Sequence, residues 1–383
     1  MYTERNERGN DSLQILSVSI HHGVSSSELD SNTLGKRVRR SEDKSLYKRV
    51  QPGDLVFNMM RAWQGAIGVV EVEGMVSPAY ISATPNDQIH PQFMDFLLRR
   101  SESVAQIDSL SYGLTDFRKR LYWDGFVNVS CRVPSVAEQR AIANFFRALD
   151  TAITTQKRQL DKLKELKKGY LQQMFPQTGE REPRVRVAGF SEPWQERKLG
   201  EIGSTFTGLS GKTKEDFGHG KAKYITYKNV FANPITSTTE LEQIGTDENQ
   251  NEVRYGDIFF TTSSETPEEV GMSSVWLHNR ENVYLNSFCF GYRQTKSISP
   301  YYMAFMLRSP YMRTKIQFLA QGISRYNISK TKMMDLTIPL SPQYEQTVIG
   351  NFFRILDNLI AAQQKKLGQL KQLKSGYLQK MFI

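Results

Sequence analysis

Cysteine is almost missing from this chain: Cys131 and Cys289 are the only two in 383 residues. Two distant thiols exclude a disulfide scaffold and a cysteine-based zinc site. Long apolar runs are missing too, none reaching the ~18 residues of a membrane helix. The opening M-Y-T-E-R-N-E-R-G-N carries no apolar segment of the kind a secretory signal needs. The chain therefore reads as cytoplasmic, with no membrane partner. Histidine is sparse, at His21, His22, His90, His219 and His278, and no pair has helical metal-ligand spacing. No G-x-G-x-x-G follows a strand pattern, and no Asn-Pro-Pro-Tyr or Asp-Pro-Pro-Tyr tetrad of amino-methyltransferases occurs. The stretch Gly208-Leu-Ser-Gly211-Lys212-Thr213 resembles a phosphate-binding loop, but Phe206 stands where that motif needs glycine. A turn is the better reading. These absences favour a role without catalysis and a chain without metal.

Aromatics are plentiful. With 21 Phe and 17 Tyr the chain cannot be disordered, and its length allows two or three domains at ~150 residues each. The strongest positive signal is a repeat. Residues 138–175 read EQRAIANFFRALDTAITTQKRQLDKLKELKKGYLQQMF, and 345–382 read EQTVIGNFFRILDNLIAAQQKKLGQLKQLKSGYLQKMF. They align without gaps, from E-Q at the start to M-F at the end. Apolar residues recur at helical spacing: Phe146, Leu149, Ile153, Leu160, Leu163 and Leu166 in the first copy, and Phe353, Leu356, Ile360, Leu367, Leu370 and Leu373 in the second. Gln156 and Gln363 interrupt the stripe at matching positions, as a register-setting polar residue does in a heptad seam. About 33 residues at ~1.5 Å each make a rod roughly 50 Å long. The stripe is narrow, which favours pairing of the two copies as an antiparallel coiled coil. The plainer alternative is that each helix packs on its own domain.

Fainter echoes precede each helix. Pro91-Gln-Phe-Met-Asp-Phe-Leu-Leu-Arg99 matches Pro300-Tyr-Tyr-Met-Ala-Phe-Met-Leu-Arg308, and Gly53-Asp-Leu-Val-Phe57 matches Gly256-Asp-Ile-Phe-Phe260. A stretch with Gly and Arg follows the short helix in both halves, Tyr112-Gly113 to Arg118 and Gln321-Gly322 to Arg325. The frame is shared and the loops differ, which is how recognition is usually varied. The expected class is α+β: two mixed α/β domains, each followed by a long helix. The expected boundaries are 1–137, helix 138–178, linker 179–193, second domain 194–344 and helix 345–383.

The net charge of +10 points to a polyanionic partner. Its distribution weakens that argument. Residues 138–175 hold eight basic and four acidic side chains, and 345–383 hold six and two, so the helices carry +8 of the total. Such faces are either simply solvated or meet acidic partner surfaces. In the domains, Lys36-Arg37-Val38-Arg39-Arg40, Lys48-Arg49, Arg118-Lys119-Arg120 and Lys221-Ala222-Lys223 are clusters able to meet phosphates.

The repeated E-Q-x-x-I-x-N-F-F-R-x-L-D and its closing L-K-x-G-Y-L-Q-x-M-F resemble the conserved helical regions of type I restriction–modification specificity subunits. Trp194-Gln-Glu-Arg-Lys-Leu-Gly-Glu-Ile202 is similar to that family's opening of a target-recognition domain. The resemblance implies two domains that each read one half of a split, asymmetric DNA target. It implies helices that space those domains and dock two methyltransferase subunits, and restriction subunits that join the core. The chain itself would do no chemistry: S-adenosylmethionine, ATP and Mg would belong to the partner subunits. One departure is that nothing like the Trp194 stretch precedes the first domain, whose N-terminal edge is therefore expected to be short.

Base reading favours Arg for guanine and Asn or Gln for adenine, with aromatics that wedge or stack. In the first domain the candidates are Asn58, Arg61, Trp63 and Gln64, then Tyr112, Arg118 and Lys119. In the second they are Thr262 and Ser263, then Arg325, Tyr326 and Asn327, with Lys228 and Asn229 as a third group. For each, ordinary packing is the alternative. Two rival functions stand beside DNA reading: a coiled-coil adaptor for proteins alone, and an enzyme with an unrecognised site.

Overall fold

The apolar spacing of the repeat produces two helices of 38 residues each, Val136–Gln173 and Gln343–Lys380. The computed structural model describes residues 1–20, 23–25, 45–113 and 118–382. The cluster Lys36–Arg40 and the pair His21 and His22 lie outside the described residues. The chain divides into two units, one formed by 1–157 with 366–383 and the other by 158–365. Each long helix is thus shared between them.

Within each unit the start of one helix lies along the end of the other. In the first unit Lys374 pairs with Asp150, Tyr377 stands edge-on to Phe145 at 5.0 Å, and Phe382 stacks on Phe146 at 5.7 Å. In the second, Lys167 pairs with Asp357, Tyr170 stands edge-on to Phe352 at 5.0 Å, and Phe175 stacks on Phe353 at 5.8 Å. The pairing is antiparallel in both. Phe146, Leu149, Gln156, Leu160, Phe353 and Leu356 are buried. Ile153, Leu163, Ile360, Gln363, Leu367 and Leu370 are half-buried. The helices also pack on their own domains, Phe146 against Phe96 and Phe353 against Phe305, so the plainer reading holds alongside the seam.

The seam does not continue through Leu166 and Leu373, which are 45% and 44% exposed. Alternating steps of three and four from Leu163 and Leu370 reach Lys167 and Tyr170, and Lys374 and Tyr377, instead. The last turns of each helix therefore pair through an ion pair and an aromatic edge rather than leucine.

The first unit holds a four-stranded antiparallel sheet in the order Tyr2–Arg5, Tyr80–Pro85, Leu55–Asn58, Ile67–Val69. The second repeats it with Gly203–Thr207, Cys289–Gln294, Ile258–Thr261, Ser273–Val275. In both, the central strand follows a Gly-Asp turn. Asp54 and Asp257 are buried, and each accepts from the backbone N–H three residues earlier, Gln51 at 2.8 Å and Arg254 at 2.7 Å. The helices Pro91–Leu98 and Pro300–Met306 start on proline, whose fixed φ suits a first helical turn. Both bury their apolar side against the long helices, as Phe93 against Phe382 and Phe305 against Phe353.

Not every element of the second unit recurs among the described residues of the first. Gln195–Lys198 pairs antiparallel with Thr337–Leu340, just before the second long helix. The matching residues 130–133, just before the first, form no strand.

Phe353 is fully buried among Phe175, Phe305 and Phe352. Phe353→Ala is expected to lower unfolding free energy by about 3–5 kcal/mol. Leu373→Ala, one helical face away, is expected to stay within about 0.5 kcal/mol. Denaturant melts of the two variants check both figures.

Candidate nucleic-acid interface

The first group of candidates lies in the tight loop between Leu55–Asn58 and Ile67–Val69. Gly65, at φ 95, closes a short 3-10 turn over Ala62–Gln64. Arg61 and Gln64 are exposed there. Trp63 is half-buried against the core of the first unit, its indole N–H donating to the Met60 carbonyl at 3.0 Å. Asn58 corrects the expectation. It is 8% exposed and its Oδ1 accepts from the Met60 N–H at 3.0 Å, so it shapes the loop and offers no edge to a base.

The second group sits on a hairpin finger. Tyr112 and Arg120 exchange backbone hydrogen bonds of 3.0 Å each, with residues 114–117 outside the described set. A Cβ on Gly113 would stand 2.4 Å from the Arg118 carbonyl oxygen, so only glycine lets this finger close. Tyr112 is exposed and stacks on Tyr122 at 5.1 Å. Arg118 is exposed, while Lys119 pairs with Asp108 and lies 5.6 Å over the Trp63 ring. The Leu121 N–H donates to the Met59 carbonyl at 2.9 Å, clamping finger to loop.

The second unit builds the same device from different residues. Gln321 and Asn327 exchange backbone bonds of 2.9 and 2.8 Å. Gly322, at φ 139, leaves room for the Arg325 carbonyl, which a Cβ would meet at 2.0 Å. Tyr326–Asn327 pairs with Ser263–Ser264, and the Ile328 N–H donates to the Thr262 carbonyl at 2.9 Å. So the structure brings Thr262 and Ser263 beside Arg325, Tyr326 and Asn327. Arg325 and Asn327 are exposed and Tyr326 is half-buried. Ser263 is buried, and the Thr262 hydroxyl is spent on the Phe288 carbonyl at 2.7 Å; these two hold the loop rather than reach out of it.

The third group splits. Lys228 is exposed on the helix Tyr227–Ala232. Asn229 is fully buried: its Nδ2 donates to the Ser237 carbonyl at 2.8 Å and its Oδ1 accepts from the Ser237 N–H at 2.9 Å. Asparagine was expected as a reader of adenine; here it staples a loop. Phe288, 61% exposed beside Thr262, was missed. It precedes Cys289–Gln294, a strand buried on both faces at its start, so alternation in N-S-F-C-F gives no hint that one phenylalanine points outward.

Other features do not compete with this site. Lys212 is committed to Asp247 at 2.7 Å, which raises its pKa and makes the G-L-S-G-K-T stretch a salt-bridged turn. A cavity of about 650 Å³ in the first unit is lined by Arg99, Arg100, Arg147 and Lys374 but also by Asp95, Asp150, Glu71 and Glu102, a balance that does not favour a phosphate.

Residues 191–372 match the family model described as type I restriction modification DNA specificity domain. The type I restriction enzyme MjaVIII specificity subunit of Methanocaldococcus jannaschii is 21% identical over 339 residues, covering 79% of this chain and 72% of that protein. The solved type I restriction–modification system S subunit from M. genitalium matches with a TM-score of 0.53 at 14% identity, over 100% of this chain and 96% of that one. A chain from a structure of complex assembly and conformational transition of the type I R-M system matches at 0.52 and 17% identity, over 88% and 83%. The two structural likenesses are likenesses of fold.

Asn229→Ala is expected to cost about 1–3 kcal/mol of stability by stranding its buried partners. Nucleic-acid affinity per folded molecule is expected to stay unchanged. A thermal melt paired with a binding titration separates the two effects.

Proposed function

This chain belongs to the family of type I restriction–modification specificity subunits, and we propose that its two clamped loop-and-finger pairs read the two halves of a split, asymmetric DNA target. One observation carries this reading. Both units fasten a finger to the loop after the Gly-Asp strand with the same backbone bond, Leu121 to Met59 and Ile328 to Thr262, while the residues displayed differ. A protein-only adaptor would need neither the repeated clamp nor exposed arginines at its tips. Arg61 and Gln64 with Tyr112 and Arg118 serve the first half-site. Arg325 and Asn327 with Lys228 serve the second.

The long helices would space the readers and dock two methyltransferase subunits, their basic faces meeting acidic partner surfaces. Methyl transfer from S-adenosylmethionine, and ATP- and Mg-dependent cleavage, would belong to the methyltransferase and restriction subunits. This chain contributes the address and no chemistry. Its place would be the cytoplasm, where the duplex is.

Arg61→Ala and Arg325→Ala are each expected to weaken specific binding by about 1–3 kcal/mol and to relax one half-site only. Mapping of methylated bases in the host, with titrations at fixed salt, reads both effects. Equal loss on every sequence would assign the side chain to phosphates, and no loss would remove it from the interface.

A further inference from the structure

The tip of the second unit's finger carries a side chain with almost nothing to read. Gln321 and Asn327 bridge across the finger, and residues 321–325 are all exposed. Ile323 lies among them at 95% exposure, the most exposed large apolar side chain among the described residues. An aliphatic group neither donates nor accepts a hydrogen bond, so the only base edge it matches is the methyl of thymine. Its neighbours on the finger are polar: Gln321, Ser324, Arg325 and Asn327.

A lone exposed isoleucine is ordinary on a surface. This one is braced and it is repeated. Backbone bonds of 2.9 and 2.8 Å between Gln321 and Asn327 close the turn. Tyr326–Asn327 pairs with Ser263–Ser264, and the Ile328 N–H holds the Thr262 carbonyl at 2.9 Å. Isoleucine, branched at Cβ, adds a stiff side chain to that stiff turn. In sequence, Ile107, Leu110 and Gly113 recur as Ile316, Leu319 and Gly322, each 209 residues further on. Leu114 and Ile323 come next in the same register. Leu114 lies outside the described residues, so this match is one of sequence. The register does not keep apolar residues generally: Phe318, 84% exposed, has Ser109 at its matching place.

The polar residues of the finger change between the copies. Asp116 stands against Arg325, and Arg118 against Asn327. Readers that differ suit unlike half-sites. An aliphatic tip that stays has a duty independent of base sequence. A methyl reader would instead demand thymine in both halves, which unlike half-sites do not require. A wedge makes no such demand: it enters between stacked base pairs, unstacks one step and kinks the duplex. Burying an exposed isoleucine there offsets part of the unstacking cost, and the bend lets more of the protein reach the groove.

We propose that Ile323 is such a wedge, entering between two base pairs of the half-site read by the second unit and kinking the duplex there. The proposal rests on the DNA-reading function above and adds to it a deformation and the residue that drives it.

The test uses the full chain with the methyltransferase subunits that co-purify with it, on the duplex it selects from a random pool. Dyes flanking each half-site in turn report the bend by energy transfer. Ile323→Ser is expected to straighten one half by about 20° or more and leave the other as in wild type. Affinity for the selected duplex is expected to fall about tenfold, with the motif and the melting temperature unchanged. Ile323→Leu, which supplies the first copy's residue, is expected to keep the kink. An equal bend in wild type and Ile323→Ser overturns the proposal, as does an Ile323→Leu complex as straight as Ile323→Ser. Uracil in place of one thymine that costs wild type the same tenfold, and costs Ile323→Ser nothing, would make the side chain a methyl reader and overturn it. An Ile323→Ser chain that no longer retains the methyltransferase subunits would make the tip a protein contact and overturn it too. A wild-type complex that selects no motif defeats the DNA-reading function itself. A motif on a duplex whose bend ignores Ile323 defeats the wedge alone.

Discussion

Each unit is closed by a phenylalanine delivered from the far end of a long helix. Phe382, just past the second helix, is 6% exposed in the first unit, against Phe93 at 5.1 Å and under the Arg100 guanidinium at 5.2 Å. Phe175, just past the first helix, is fully buried in the second unit among Phe353, Tyr302 and Trp194. Neither core is complete without the other copy's tail. This reciprocal exchange requires the helices to run antiparallel, since each tail must reach the start of its partner. It also explains the invariance of G-Y-L-Q-x-M-F between the copies. Those residues carry a packing duty inside a domain as well as a place on a helix.

Sequence periodicity carried the helices because their stripe is long and broken only by Gln156 and Gln363. It erred at Leu166 and Leu373 because leucine was followed where the alternation of three and four was the real constraint; Lys167 and Tyr170 hold those places with an ion pair and an aromatic edge. The reader loops were legible as positions and less so as side chains. Arg61 and Arg325 are displayed, but Asn58 and Asn229 turned inward because asparagine satisfies backbone donors and acceptors as readily as it reads adenine. Residue type alone does not separate those uses. Only burial does, and burial depends on which segment folds back over the residue, as Ser237 and Glu240 do over Asn229.

The duplicated frame has been kept by different means in its two copies. The buried aspartate of the Gly-Asp turn meets Arg5 at 2.8 Å in the first unit, from the edge strand. In the second it meets both arms of Arg293, from the neighbouring strand, at 2.8 and 2.7 Å. The arginine that ends the short helix has diverged further. Arg99 lines the first unit's cavity and pairs loosely with Asp95 at 3.7 Å. Arg308 is buried, its guanidinium pushed down to about 10 by desolvation, and donates to the carbonyls of Ser273, Val230, Phe231 and Asn233. It anchors the helix Tyr227–Ala232. A residue at a matching place thus borders a cavity in one unit and ties down a helix in the other.

Charge alone cannot make these units selective. Most of the chain's positive excess sits on the long helices, and the loops and fingers display only a few cations, so attraction to phosphates supplies little that distinguishes one duplex from another. Selectivity must come from side chains held at fixed places before DNA arrives, because ordering a loose loop on binding costs about 0.5–1.5 kcal/mol for each immobilised side chain. The repeated clamp bears that burden. A shared backbone bond from finger to loop, joined in the second unit by the Ser263–Ser264 pairing, and a glycine that lets the finger close fix the display while leaving nearly every displayed residue free to change. Two units that share the clamp and differ in what they show can therefore read unlike half-sites without any change of scaffold.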